Sequence, residues 1–189
     1  MNTTIYFVRH AHSIYTPDEE GRPLSDKGFC DAKKVASMLE NRELHSIISS
    51  PYKRAQQTVE KLAEIKSLTI NVIEDFKERR LAEEAVEHFD SAIKAVWKDE
   101  LFAYEGGESN LEAQRRGVLA MENVLEHNRG KNIVIATHGN LMVLIMKHYH
   151  NQFDYDFWKQ LTMPDIYQLT FQGNQYVEAK RVSGADVLF

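Results

Sequence analysis

Apolar and polar positions change their rhythm repeatedly along this chain, and the changes predict its elements. The run Thr4-Ile5-Tyr6-Phe7-Val8 is short, apolar and rich in β-branched and aromatic side chains, so a buried strand is expected over about 3–8. A polar loop extends to about 24. Apolar residues then return at helical spacing, with Phe29, Ala32, Val35 and Leu39 on one face of a helix predicted over about 26–41. A short strand from His45 to Ser49 comes next. The helix after it, about 52–65, begins behind Ser49-Ser50-Pro51, where proline and serines fit a helix N-terminus, and a third strand lies near Thr69 to Ile73. Between about 80 and 105 the pattern weakens, and Phe89, Trp97, Phe102 and Tyr104 are spread through an acidic stretch in which helical turns are expected. Ser109-x-x-Glu112 is a capping box opening a helix to about 127, with Leu111, Val118, Met121 and Leu125 inward. Ile133 to Ala136 reads as a buried strand that turns through Thr137-His138-Gly139-Asn140 into an apolar helix over 140–149. Two β-rich runs, 166–171 and 175–181, flank Gly173-Asn174 as a hairpin.

Strands alternating with helices imply an α/β fold, a three-layer α/β/α sandwich around a mostly parallel central sheet. No repeat or flexible linker interrupts it, so a single domain over 1–189 is expected. Ligands bind such sheets at the carboxyl ends of the strands. That rule gathers residues that lie far apart in the chain. Arg9 and His10 follow the first strand, His138 follows the strand at 133–136, Glu78 follows the third strand, and Arg54 opens the helix after the second.

Composition narrows the classes. A hydrophobic fraction of 43% and a charged fraction of 27% describe an ordinary globular protein. The longest apolar run, Leu141 to Met146, falls far short of the roughly 18 residues of a membrane span, and no signal-peptide pattern opens the chain. A lone cysteine, Cys30, permits no intrachain disulfide and is read as a packing residue, so a cytoplasmic location is expected. The net charge is −5 and no basic stripe is visible, which argues against nucleic acid. From Glu74 to Glu112 there are 12 acidic and 5 basic side chains, so any anion-binding charge must come from a few placed arginines. The apolar tail Val187-Leu188-Phe189 could dock on its own domain or on a partner, and the oligomeric state is left open.

The candidate chemistry is phosphoryl transfer. A neutral imidazole, here His10, attacks phosphorus directly when the phosphate is held in line. Guanidinium groups such as Arg9 and Arg54 grip two phosphate oxygens at once. His138, at a helix N-terminus, can donate to the phosphoryl oxygens as charge grows on them, and Ser13 can add a hydroxyl. Glu78 is the candidate acid for the leaving oxygen, and afterwards the base for water. Each residue alone has an ordinary reading as core, surface or ion-pair partner. The weight lies in their joint placement.

That placement resembles the histidine phosphatase superfamily, the phosphoglycerate mutase-like fold. Arg9-His10-Ala11 stands where the family has Arg-His-Gly. Leu24-Ser25-Asp26-Lys27-Gly28 matches its Leu-Ser/Thr-x-x-Gly, and Ser49-Ser50-Pro51-Tyr52-Lys53-Arg54-Ala55-Gln56-Gln57-Thr58 matches its Ser-Ser-Pro-x-x-Arg-Ala-x-x-Thr throughout. Glu78, Gly107-Glu108-Ser109 and His138-Gly139 follow in family order, so the motifs cover about 1–140. The resemblance implies a phosphohistidine on His10, a phosphate pocket of Arg9, Arg54 and His138, a proton donor in Glu78, and neither metal nor cofactor. It also implies a phosphorylated small-molecule substrate and a covering segment over about 80–107.

Three positions depart from the family pattern. Ala11 replaces the glycine, His12 replaces a common Glu or Gln, and Thr16 stands where many relatives place a phosphate-contacting Asn. The acidic 80–107 segment leads us to expect exclusion of highly anionic substrates and a preference for neutral or cationic leaving groups. Hydrolysis of a phosphomonoester is the first expectation. A phosphoglycerate mutase-type transferase and a catalytically silent phosphate-binding module are the alternatives. A metal site at His10-x-His12, as in amidohydrolases, would require a barrel of about 250 residues, longer than this chain.

Overall fold

Six strands form one sheet in the order β3-β2-β4-β1-β5-β6 in the computed structural model, which describes residues 1–183. They are β1 (Asn2–Arg9), β2 (Ser46–Ser49), β3 (Ile70–Val72), β4 (Asn132–Thr137), β5 (Asp165–Gln172) and β6 (Gln175–Arg181). The pairs β1–β4, β4–β2 and β2–β3 are parallel, and β5 runs antiparallel between β1 and β6. The apolar tail Val187-Leu188-Phe189 lies outside the described residues.

Both faces of the sheet are covered, as a parallel sheet requires. Alternation along β1 sorts its side chains. Ile5 and Phe7 face a core shared with the helices α3 (Phe89–Lys98), α4 (Asn110–His127) and α5 (Gly139–Tyr149), while Tyr6 and Val8 face one shared with α1 (Asp26–Leu39) and α2 (Lys53–Lys66). A further short helix, α6 (Tyr155–Gln160), packs beside α5 through Phe157 and Trp158. The three-layer arrangement is therefore the one expected. Phe7 is fully buried, and its truncation to alanine is expected to cost about 3–5 kcal/mol.

Some local expectations change. The buried stripe of α1 runs through Gly28, Ala32, Val35, Ala36 and Leu39, whereas Phe29 lies beyond it in the first turn and is exposed. Cys30 is exposed rather than packed. The helix α3 is better formed than the scattered turns expected there and buries Ala92, Ile93, Val96 and Trp97. Helix α6 is an element that the apolar pattern did not announce, being only six residues long. The capping box at Ser109 and Glu112 is present in both directions. No helix among the described residues is long and apolar enough to cross a membrane.

Register is what matters for the site. Arg9 pairs with Thr137 across β1 and β4, Ser49 pairs with Ala136 across β2 and β4, and the ladder continues one step further. The His10 N–H donates to Thr137 O at 3.0 Å and the Ser50 N–H to Ala136 O at 2.8 Å. Three adjacent strand ends thus deliver His10, Ser50 and His138 to one edge.

Candidate active site

His10 sits at the carboxyl end of β1 and is only 7% exposed. Its Nδ1 lies 2.7 Å from the carbonyl oxygen of Ala11, an acceptor, so the ring proton resides on Nδ1 and Nε2 is left unprotonated, an acceptor. Burial, together with the Arg54 charge, drives the imidazole down to about 3, far below an ordinary histidine. The ring is therefore neutral at physiological pH and its nucleophilic atom is defined.

The position of that ring is fixed from α2. Thr58 Oγ1 accepts the Ala11 N–H at 2.9 Å and donates to Arg54 O at 2.7 Å. The Arg-Ala-x-x-Thr spacing brings both residues to the same face, since they are one helical turn apart. Arg54, read in isolation as a surface charge, is 3% exposed, and its Nε donates to His10 Nε2 at 3.3 Å. Its other nitrogens are occupied by the β1–α1 loop. Nη1 donates to Glu19 O at 2.7 Å and Nη2 to Glu19 Oε1 at 2.6 Å. The same Glu19 carboxylate pairs with Arg22. A carboxylate thus bridges two guanidinium groups next to the nucleophile, a place suited to a phosphate.

His138 is fully buried at the N-cap of α5, with its ring 5.1 Å from that of His10. Burial again keeps it neutral, well below the ordinary histidine range. Ser50 Oγ accepts the Tyr52 N–H and lies 2.8 Å from His138 Nε2. The other ring nitrogen, Nδ1, is buried and has no partner. The serines before Pro51 therefore serve the site; Tyr52, not they, is the N-cap of α2, and no side chain caps it.

Arg9 reaches across to the α6–β5 loop, where Nη1 donates to Leu161 O at 3.2 Å and Thr162 O at 3.1 Å, while Nε has no partner. Its guanidinium lies against Gly139, where a Cβ would stand 2.8 Å from Nε. That contact is the physical reason for glycine after His138. Gly28 has an analogous role, because a Cβ there would meet His12 O at 2.0 Å.

Glu78 lies beyond β3, on the far wall. Its Oε1 accepts the N–H groups of Arg79 and Leu141 at 2.8 and 3.0 Å, and Oε2 accepts that of Asn140 at 3.1 Å. Two of these donors belong to the first turn of α5, whose N–H groups have no helical partners. Asn140 is held in turn by Trp97 Nε1, which donates to its Oδ1 at 3.0 Å.

These residues surround a cavity of about 1180 Å³. Arg9, His10 and Glu78 line it directly, with Arg54 and His138 behind His10. Ser13 does not join them. It forms an isolated bridge with Leu24 and does not line the cavity. The Thr16 hydroxyl donates to Asp18 O, and His12 is exposed against Ser25. Trp97 and Tyr104 pack into the core, and apolar lining comes from Tyr15, Leu81, Val86, Phe89, Ile93 and Trp158. Sequence reasoning also missed Glu19, Arg22 and Arg79. Arg79 lies in the charged run Lys77-Glu78-Arg79-Arg80, where no pattern separates it from the exposed Arg80. Among the described residues, no group of three His, Cys, Asp or Glu side chains is arranged to hold a metal ion.

A family model described as histidine phosphatase superfamily (branch 1) matches residues 5–182, and the chain belongs to that superfamily. Phosphoserine phosphatase 1 of Hydrogenobacter thermophilus is 29% identical over 150 residues, covering 71% of this chain and 70% of its own. A probable phosphoglycerate mutase, GpmB of Yersinia pestis, is equally 29% identical over 150 residues, covering 71% and 69%. Among solved structures, a phosphoserine phosphatase from Entamoeba histolytica in complex with 3-phosphoglyceric acid superimposes with a TM-score of 0.80 at 20% identity, covering 98% of this chain and 100% of its own. A mycobacterial glucosyl-3-phosphoglycerate phosphatase does so with a TM-score of 0.77 at 20% identity, covering 96% and 97%. At that identity the two superpositions speak for the fold.

Proposed function

We propose that this chain is a phosphomonoester hydrolase that works through a phosphohistidine on His10 and needs no metal. The observation that carries the reading is the state of His10: neutral, with its proton committed to Ala11 O, and its Nε2 facing Arg54 beside a cavity. Around it, Arg9 Nε and His138 Nδ1 are buried nitrogens with no hydrogen-bond partner, and buried polar groups are rarely left so. A phosphoryl group would satisfy both, and would take from Arg54 the position that Glu19 holds.

In the first step the Nε2 lone pair attacks phosphorus and the P–O bond to the leaving group breaks. The electron pair leaves with that oxygen, which takes a proton from Glu78. Arg9, Arg54 and the His138 Nδ1–H meet the charge that builds on the phosphoryl oxygens. In the second step the Glu78 carboxylate takes a proton from water, the water oxygen attacks phosphorus, and the P–N bond returns its pair to His10. Relatives named for phosphoserine and glucosyl-3-phosphoglycerate hydrolysis support a small phosphorylated metabolite as substrate. Residues 1–183 read as one domain in which 80–107 forms the outer wall of the site.

The test is hydrolysis of an aryl phosphate in excess chelator by the parent and by His10→Ala. Chelator-resistant turnover that vanishes in the variant is the expected result. Turnover that survives loss of His10 would place the nucleophile elsewhere. A parent that becomes labelled by a phosphorylated donor but releases no phosphate would favour the mutase reading, to which GpmB is the pointer.

A further inference from the structure

Asp165 is a buried carboxylate that the mechanism above does not use. It opens β5, is 4% exposed and stands opposite Arg9 in the β1–β5 register. Each of its oxygens accepts two hydrogen bonds. Oδ1 takes the Ile166 N–H at 3.0 Å and Arg181 Nε at 2.8 Å, and Oδ2 takes the Thr162 N–H at 2.8 Å and Arg181 Nη2 at 2.9 Å. Arg181, the last residue of β6, adds a further bond from Nη2 to Thr162 Oγ1 at 2.8 Å. A carboxylate and a planar guanidinium thus clasp the loop 161–165 from the edge of the sheet.

The Thr162 N–H matters because of what it is joined to. It belongs to the same peptide unit as the Leu161 carbonyl, and a peptide unit is planar with its N–H and C=O pointing opposite ways. Holding the N–H on Asp165 therefore fixes the direction of that C=O. The Leu161 oxygen accepts Arg9 Nη1 at 3.2 Å, and the next carbonyl, Thr162 O, accepts the same nitrogen at 3.1 Å. The Arg9 guanidinium is itself rigid and planar, so a tether on Nη1 sets where Nε lies. Nε lies against Gly139 and is buried without a partner of its own.

We infer that Asp165 and Arg181 are positioning residues: by locking the Leu161–Thr162 peptide they aim the Arg9 guanidinium at the phosphoryl group. The inference rests on the phosphatase reading, which makes Arg9 a phosphate ligand. Neither Asp165 nor Arg181 lines the cavity, so their effect on phosphate passes through Arg9. Arg181 is the residue to change. Its side chain is 46% exposed, so its loss opens no hole in the core, and the Asp165 charge stays in place.

The experiment is calorimetric titration of inorganic phosphate into the parent, Arg181→Gln, Arg9→Lys and the double variant. Arg181→Gln is expected to weaken binding by about three- to tenfold, the worth of roughly one hydrogen bond. Arg9→Lys keeps the charge but loses the planar fork, and weakens binding by more. The double variant should bind no more weakly than Arg9→Lys alone, because the clasp has nothing left to aim. Arg181→Lys, which keeps a donor for Asp165, recovers part of the affinity. Losses that add in the double variant would assign Arg181 a merely structural role and overturn the inference, as would parent-like phosphate binding by Arg181→Gln. Turnover gives a second readout. In Arg181→Gln, kcat/KM falls by the same factor on aryl and alkyl phosphates, since the phosphoryl group is common to both; a loss confined to one leaving group overturns the inference. The two possible failures are distinguishable. Parent-like affinity in Arg9→Lys would refute the phosphate role of Arg9 and the inference with it, whereas coupled losses in a protein without turnover uphold the clasp although the phosphatase reading fails.

Discussion

At the sheet end of the cavity, His10 and its supports form one chain of hydrogen bonds, beside which Arg9 Nε and His138 Nδ1 are buried without a partner. His10 is tied to Ala11, Ala11 to Thr58, Thr58 to Arg54, and Arg54 to Glu19. At the opposite wall, formed by 77–107, Glu78 is equally well held, yet the next residue, Arg79, is buried with two nitrogens unpaired. The difference lies in what holds each end. Parallel strand ends and helix α2 fix the nucleophile through successive hydrogen bonds, a geometry that pre-organises phosphoryl transfer. The far wall comes from a loop and is tied to the sheet through the first turn of α5, which holds Glu78 by two backbone N–H groups.

This contrast can be broken in several places. The largest effect is expected from Glu78→Gln, which keeps the shape of the carboxylate and an oxygen for the α5 N–H groups but removes the proton. Turnover of alkyl phosphates should fall by about 10²–10⁴, and turnover of aryl phosphates with good leaving groups much less. An equal loss on both substrate types would show that Glu78 is not the acid. Next is Arg54→Ala. It removes a donor to the phosphoryl group and the clamp on His10, so kcat/KM should fall by roughly 10²–10³ on every substrate tested, with substrate ratios unchanged. A substrate-selective loss would erase the distinction between the two ends.

A smaller change, in the opposite direction, is expected from Glu19→Gln. The Glu19 carboxylate, 45% exposed, occupies Arg54 and Arg22 in the absence of phosphate, so weakening it should tighten inhibition by inorganic phosphate about two- to tenfold. Weaker phosphate binding would mean that Glu19 supports the arginines rather than stands in for the ligand.

The mildest probe is acid. His10 and His138 are depressed in the folded state, His10 to about 3, while both return to about 6.5 on unfolding. The unfolded chain therefore binds more protons below that value. Stability contributed by keeping them neutral is full above about pH 6.5 and is lost as pH falls toward 3, at up to about 1.4 kcal/mol per pH unit for each ring. Urea midpoints measured from pH 7 to 4 should fall more steeply for the parent than for His10→Asn. Parallel slopes would contradict a neutral buried His10.

Much of this molecule is legible in its pattern. The alternation of Ile5, Tyr6, Phe7 and Val8, the capping box at Ser109 and Glu112, and the hairpin around Gly173 are local signals, and local physics decides them. The motifs also marked Arg9, His10, Arg54, Glu78 and His138, because each stands next to a strand end or helix start. Ser13 shows the limit of that reasoning. Its spacing is correct, but it pairs with Leu24, 11 positions away, in a contact that no linear spacing announces. Trp97 shows it from the other side, since the weak pattern around it gave no helical face, and only the packed structure places it in the core of α3, bonded to Asn140.

By itself, then, the sequence determined the layers, the strand-end location of the chemistry and the family, since those follow from periodicity and from residues whose roles are set by their immediate neighbours. Only the tertiary structure decided which charges are paired. Arg54 and Glu19 are 35 positions apart and touch, whereas Arg79 and Arg80 are adjacent, one buried in the cavity wall and the other exposed. Electrostatic partners are chosen by distance and burial in space, and a linear pattern carries neither.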